Sequence, residues 1–136
     1  MKNKYLVFFL IMALNATVRA ESVFVTLEKD NALAVIDPIA GKLIKTVPVG
    51  QRPRGIAISP DNMSLYIATS DENIIKILDV ETLKEVGRLP SGEDPETFAL
   101  NPAGDKLYVS NEDDSLVTVI DIAKKKVVKQ ITVGVE

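Results

Sequence analysis

A 42-residue repeat constrains the fold of this 136-residue chain more than any other feature of its sequence. The stretches "LAVID", "IKILD" and "VTVID" end at Asp37, Asp79 and Asp121, which are separated by one constant interval. A fixed period of this length indicates that one supersecondary unit is copied along the chain. The glycines and aromatic residues that keep the same interval are Gly50, Gly92 and Gly134, and Phe24, Tyr66 and Tyr108.

The repeated unit has the pattern of four short strands. The most complete copy contains "PRGIAIS", "SLYIAT", "IIKILD" and "EVGRLPSG", which are rich in Ile, Val, Leu and Tyr and bounded by turn residues. No stretch after residue 20 has helical spacing. Because four-stranded units of roughly 40 to 50 residues are typical of propeller blades, the sequence predicts an all-β fold, a β-propeller of four-stranded antiparallel blades. A β-sandwich or a parallel β-helix is the competing fold, and the hairpin turns disfavour the helix.

The turn residues agree with this prediction. In "SPDN" and "NPAG", Asn62 and Gly104 can adopt the left-handed conformation that closes a hairpin. Asp37, Asp79 and Asp121 lie where a carboxylate accepts backbone N–H groups of the next turn. A structural role that is needed once per repeat explains three aligned aspartates better than catalysis does.

Residues 1–20 have the pattern of a secretory signal peptide. Lys2 and Lys4 precede the apolar run "YLVFFLIMAL", and the small-residue ending "ATVRA" predicts cleavage after Ala20. About ten apolar residues are fewer than the ~20 that span a bilayer, so a retained membrane anchor is the less favoured alternative. We expect a periplasmic or secreted protein with no membrane span after cleavage. Loss of Lys2, Lys4 and Arg19 leaves 13 basic against 19 acidic residues, which disfavours a nucleic-acid partner.

The chain contains neither cysteine nor histidine. Disulfides are therefore excluded, and the predicted blades must be held by packing alone. Ser-His-Asp, Cys-His and HExxH chemistries are also excluded, together with the usual histidine ligands of zinc and haem. The composition therefore favours a non-catalytic role for this stretch, and it predicts no catalytic residue.

The order of the strands predicts how the blades divide the chain. With strands named A to D from the channel outward, the chain reads B, C, D and then A to D twice. We therefore expect a partial first blade over 22–50, a second blade over 51–92 and a third over 93–134. Propellers have 4 to 8 blades, and unpaired sheet faces favour aggregation, so closing blades are expected beyond residue 136. Alternatively, copies of a short chain join to close the ring.

The loops before strand A and between strands B and C are expected on one face, around the channel mouth. The candidate ligand-binding residues there are Arg52, Arg54, Glu93, Asp94 and Glu96. One interpretation makes the arginines bidentate anchors for a carboxylate or quinone ligand. The favoured interpretation is that Arg54 and Glu96, which occupy equivalent positions of successive repeats, pair across adjacent blades.

Two further charged clusters are less informative. Asn111, Glu112, Asp113 and Asp114 offer the oxygen ligands that calcium prefers, but the EF-hand spacing and glycine are missing. A solvated acidic hairpin is favoured over this weak calcium candidate, and no metal site is predicted. The lysine run 124–126 is expected in a turn on the opposite face, where it aids solubility.

The repeats also resemble a known family. "VIDPIAGKLIKTVPVGQRPRGIAISPDNMSLYIATS" and "LYVSNEDDSLVTVIDIAKKKVVKQITVG" are similar to the YVTN-type β-propeller repeat, over about residues 22–136. "VGQRPRGIAISPD" and "SGEDPETFALNPAGDKLYVSNEDD" look like exported propellers associated with catabolism of alcohols that depends on pyrroloquinoline quinone (PQQ). This resemblance implies a propeller of about seven blades, no cofactor in this segment, and periplasmic redox or transport proteins as partners.

The resemblance implies an exported, non-catalytic binding or scaffolding protein linked to PQQ-dependent alcohol oxidation. Two alternatives stay open. One is a propeller oxidoreductase of the haem or quinone type, whose catalytic groups lie outside this stretch. The other is a cell-surface protein built from YVTN repeats.

Overall fold

The computed structural model describes residues 21–134, so the predicted signal peptide lies outside the described residues. Within that range the regular structure is eleven β-strands and one 3₁₀ turn, Ser70–Glu72, and no helix there is long and apolar enough to cross a membrane. The strands are β1 (Val23–Leu27), β2 (Ala32–Asp37), β3 (Lys42–Pro48), β4 (Pro53–Ile58), β5 (Ser64–Thr69), β6 (Ile74–Asp79), β7 (Glu85–Pro90), β8 (Pro95–Leu100), β9 (Lys106–Asn111), β10 (Leu116–Asp121) and β11 (Lys126–Thr132).

The strands form three antiparallel sheets in chain order. The first sheet is β1-β2-β3, the second is β4-β5-β6-β7, and the third is β8-β9-β10-β11. Within each sheet, every strand pairs with the next strand in sequence through a short turn. The predicted all-β fold of antiparallel propeller blades is confirmed.

The second sheet is buried on both faces because β5 alternates between two cores. Leu65 and Ile67 point toward the first sheet, whereas Tyr66 and Ala68 point toward the third. This explains why the strand is a nearly continuous apolar run. The core between the first and second sheets contains Leu33, Val35, Val49, Leu65, Ile67, Leu78 and Leu83. The core between the second and third contains Tyr66, Ala68, Ile75, Leu89, Leu107, Val109 and Ile120.

The turn residues identified in the sequence occupy the turns. Asn62 and Gly104 have positive φ angles of 59° and 71°. The Oδ1 atom of each repeat-equivalent aspartate accepts backbone N–H groups of the following turn. The donors are Ile39 and Ala40 to Asp37, Thr82 to Asp79, and Lys124 to Asp121.

Strands β4 and β8, the first strand of each four-stranded sheet, carry irregularities that shape one face of the molecule. The register of β4 against β5 shifts between Pro53 and Ile56, which places Arg54 and Gly55 outside the regular ladder. Strand β8 has the same shift one repeat later, between Pro95 and Phe98. Irregular pairing of this kind redirects side chains away from the sheet face, and here it directs them toward the neighbouring blade and the loops.

Candidate ligand-binding face at the channel mouth

The loops that enter β4 and β8 lie beside the turns β1–β2, β5–β6 and β9–β10. We call this side of the molecule the mouth face. It contains a cavity of about 450 Å³, the mouth cavity, and every side chain that lines it is polar. The lining residues are Arg52, Ser70, Asp71, Asn73, Glu93, Asp94, Glu112 and Asp113.

Arg52 is the basic side chain of the mouth cavity. Its guanidinium contacts three carboxylates from three loops: Glu28 at 3.1 Å, Asp71 at 3.5 Å and Asp94 at 3.4 Å. The hydrogen bond to Glu28, only partly opposed by burial, raises the pKa of Arg52. The guanidinium therefore stays charged, and it offsets part of the negative charge of the three carboxylates around it.

Arg54 lies deeper and joins two adjacent blades. Its Nη1 atom pairs with Glu96 and lies 3.7 Å from an oxygen of Glu112. The Arg54 and Glu96 side chains are 24% and 22% exposed, so the pair is only partly screened by water. The structure thus places Arg54 in the pairing that the sequence favoured, and neither arginine of this face is free of carboxylate partners.

Two asparagines that the sequence reasoning missed hold these loops in place. Asn31 and Asn73 have φ angles of 55° and 54°, and their Oδ1 atoms accept the backbone N–H of Arg52 at 2.8 Å and of Asp94 at 2.9 Å. The two acceptor residues are one repeat apart, and so are the two donors. This interval was the signal in the sequence that could have identified them.

Asn111, part of the weak calcium candidate, has a different role. It is 2% exposed, and its Nδ2 atom donates to the carbonyls of Ser91 at 2.9 Å and Glu93 at 2.6 Å. Its Oδ1 atom accepts the hydroxyl of Thr118 at 2.7 Å. The Asn111 side chain therefore binds the loop before β8. The side chains of Glu112, Asp113 and Asp114 are exposed.

The carboxylates that do converge come from separate loops. Oxygens of Asp94, Glu96 and Glu112 lie within 4.8 Å of one another. Arg52 contacts the first of these groups, and Arg54 contacts the other two. The positive charges beside these carboxylates are therefore the two guanidinium groups, and the cluster is an ion-pair network across two blades.

We expect Asn111→Ala to lower the free energy of unfolding by about 1–3 kcal/mol, because buried carbonyls and a hydroxyl lose their partner. Urea denaturation measures the loss. Asp113→Ala is the matched control, since this nearby side chain is exposed and exposed sites cost within about 0.5 kcal/mol. Equal effects of the two changes would contradict the role assigned to Asn111.

The opposite face has a larger cavity of about 890 Å³, which is partly apolar. It lies between the first and second sheets and is lined by Phe24, Ile58 and Met63 among others. At the corresponding place between the second and third sheets, the exposed Pro60 ring lies against the next blade, 2.8 Å from where a Cβ on Gly104 would be. On this face Lys124 pairs with Asp121 at 2.7 Å, and the lysine run 124–126 is exposed.

The fold defines the class of the protein: antiparallel propeller blades, here with a polar face where the loops before β4 and β8 meet. The chain belongs to the lactonase, 7-bladed beta-propeller family, whose model matches residues 3–131. No curated protein matches the chain.

Solved structures share the fold at low identity. Hydrazine synthase from Kuenenia stuttgartiensis matches with a TM-score of 0.74 and 21% identity, over 83% of this chain and 33% of that chain. Dihydro-heme d1 dehydrogenase NirN matches with 0.66 and 21%, over 82% and 24%. A functionally unknown protein from Desulfotomaculum acetoxidans matches with 0.64 and 20%, over 76% and 35%. The chain thus spans between 24% and 35% of the length of these structures, and such identities show the fold alone.

Proposed function

We propose that the chain supplies blades of an exported, non-catalytic propeller that binds a polar partner at its mouth face. We further propose that this propeller serves a PQQ-linked alcohol oxidation system in the periplasm. The observation that supports binding is the mouth cavity of about 450 Å³, which is lined entirely by polar side chains. The link to PQQ rests on the resemblance of the loop sequences.

The composition of the mouth cavity favours a partner with positive charge. Five of its lining residues are acidic, and its only basic one, Arg52, already contacts three carboxylates. Complementary charge speeds encounter and selects among partners more than it adds affinity. A basic surface of a periplasmic redox or transport protein therefore suits this face better than the anionic quinone itself.

Surface plasmon resonance tests this proposal with the mature chain and the PQQ-dependent alcohol dehydrogenase holoenzyme of the same genome. We expect saturable, salt-sensitive binding. The double variant Glu112→Gln/Asp113→Asn should weaken it about tenfold, because loss of interfacial charge slows association. Glu81→Gln/Asp105→Asn removes the same charge from the opposite face and should not. Absence of binding rejects the PQQ link, and equal effects of the two double variants reject the mouth face as the contact.

The main alternative is an enzyme. The family name points to hydrolysis of a lactone, in which water attacks the acyl carbon, the ring C–O bond breaks and a single hydroxy acid forms. The catalytic groups would then include residues outside the part of the chain that the structure describes. A pH-stat assay with γ- and δ-lactones tests this: acid release that Glu112→Gln/Asp113→Asn abolishes would replace the binding proposal, and release no faster than the uncatalysed rate would reject hydrolysis by this chain.

A further inference from the structure

The loop that carries Arg52 into the mouth cavity is held by two side chains: an asparagine binds the Arg52 N–H, as described above, and a carboxylate binds the neighbouring N–H. Glu72 Oε1 accepts the backbone N–H of Gln51 at 2.7 Å, and Lys76 Nζ lies 2.9–3.0 Å from the two Glu72 oxygens. A Cβ on Gly50 would overlap both Glu72 Oε1 and Lys76 Nζ, so the loop passes directly over the ion pair. Lys76 is only 8% exposed, which makes the pair a buried one on its basic side.

The next blade holds the equivalent loop without any charge. Gly92 corresponds to Gly50, and Thr118 corresponds to Lys76, at the 42-residue interval. The Asn111 amide, which Thr118 orients, donates to the carbonyls on both sides of Gly92. A Cβ on Gly92 would lie 2.9 Å from this amide. The same position in two blades is therefore fixed by an ion pair in one case and by a neutral amide in the other.

We infer that Glu72 and Lys76 form an acid-sensitive latch on the 50–52 loop, which positions Arg52 in the mouth cavity. The main chain of the loop that carries Asp94 is bound by neutral groups. Lowering the pH thus frees one loop at Gln51, while the neutral side-chain amides that bind both loops stay in place. This inference concerns regulation of the mouth face and does not require that the PQQ proposal be correct.

The surroundings of Glu72 set the direction of the response. It faces Lys76 on β6 and Arg88 on β7, while Asp71 precedes it in the same turn and contacts the Arg52 guanidinium. Burial opposes ionisation, but the hydrogen bonds from Lys76 and Gln51 outweigh it and hold the pKa of Glu72 below its ordinary value of 4.5. A depressed carboxyl pKa stabilises the folded state above the unfolded value, and this stabilisation is lost as the pH falls through the folded value.

Amide hydrogen exchange by NMR on the full chain tests the latch. Between pH 6 and a pH below the Glu72 midpoint, the protection factor of the Gln51 amide should fall about tenfold, the equivalent of one charge-assisted hydrogen bond. The Asp94 amide, bonded to Asn73, should keep its protection and serves as the internal reference. Parallel loss at both amides, or no loss at Gln51, would overturn the latch.

A variant separates the latch from general acid effects. Lys76→Met should raise the titration midpoint of Glu72, followed by the NMR shift of its carboxyl carbon. The pH at which the Gln51 amide loses protection should rise with it. Lys84→Met removes an exposed lysine and should move neither midpoint. If Lys76→Met shifts the Glu72 midpoint while the Gln51 transition stays where it was, the carboxylate does not hold the loop, and the inference fails.

Discussion

Ile67→Ala is expected to lower the free energy of unfolding by about 2–5 kcal/mol, the range for large-to-small changes in packed cores. Ile67 is fully buried in the core between the first and second sheets. Its removal loses the transfer free energy of three carbons and leaves a cavity that flanking strands cannot close, because β5 is fixed by pairing on both sides. Urea denaturation followed by circular dichroism measures the change.

Ile44→Ala is the matched control for this substitution. Ile44 lies on the outer strand β3 and is 54% exposed, so the same chemical change should cost within about 0.5 kcal/mol. A domain of this size has only about 5–15 kcal/mol of stability, so the loss at Ile67 should be visible as a large shift of the midpoint. If both variants unfold at the same urea concentration, the core does not lie where the alternation of β5 places it.

The repeat made the architecture predictable because one pattern is used in each blade. The interval between Asp37, Asp79 and Asp121 marks the same turn three times, and each carboxylate accepts backbone N–H groups there. The pairing of Arg54 with Glu96 followed from the same interval. Equivalent positions of adjacent blades are neighbours in space, so a contact between residues one repeat apart could be predicted from the sequence alone.

The mouth face could be predicted only in part because, apart from one asparagine that recurs at the repeat interval, the residues that fasten its loops differ between blades. Glu72 and Lys76 hold one loop, and Asn111 and Thr118 hold the other. Glu72 lies in the polar segment "SDEN", most of which forms a 3₁₀ turn. Nothing in the sequence of that segment indicates that Glu72 binds a loop. Because one kind of interaction replaces another between the two repeats, the sequence has no shared pattern at these positions. Only the structure shows these contacts.

Gly55→Ala is expected to lower the stability by about 1–3 kcal/mol, as overpacking of a close contact does. A Cβ at this position would lie 2.8 Å from the backbone oxygen of Glu96 and 2.9 Å from the Cα of Thr97. Both are main-chain atoms of the innermost strand of the next blade, so they cannot move aside as a side chain would. The strands β4 and β8 must separate, and the Arg54–Glu96 pair next to the contact should be disturbed as well.

Gly87→Ala tests whether the cost comes from this contact or from the loss of glycine in a strand. Gly87 lies on the outer strand β7, and its Cβ would meet only side-chain atoms, the nearest at 3.4 Å. Alanine there restricts the unfolded chain without a clash, so the change should be neutral or stabilising. Urea denaturation gives the free energy of unfolding of each variant. The surface plasmon resonance assay described above reports whether either change disturbs the mouth face. Equal stability of the two variants would show that strands β4 and β8 are not in contact at Gly55. Without that contact, the two strands would not hold Arg54 next to Glu96.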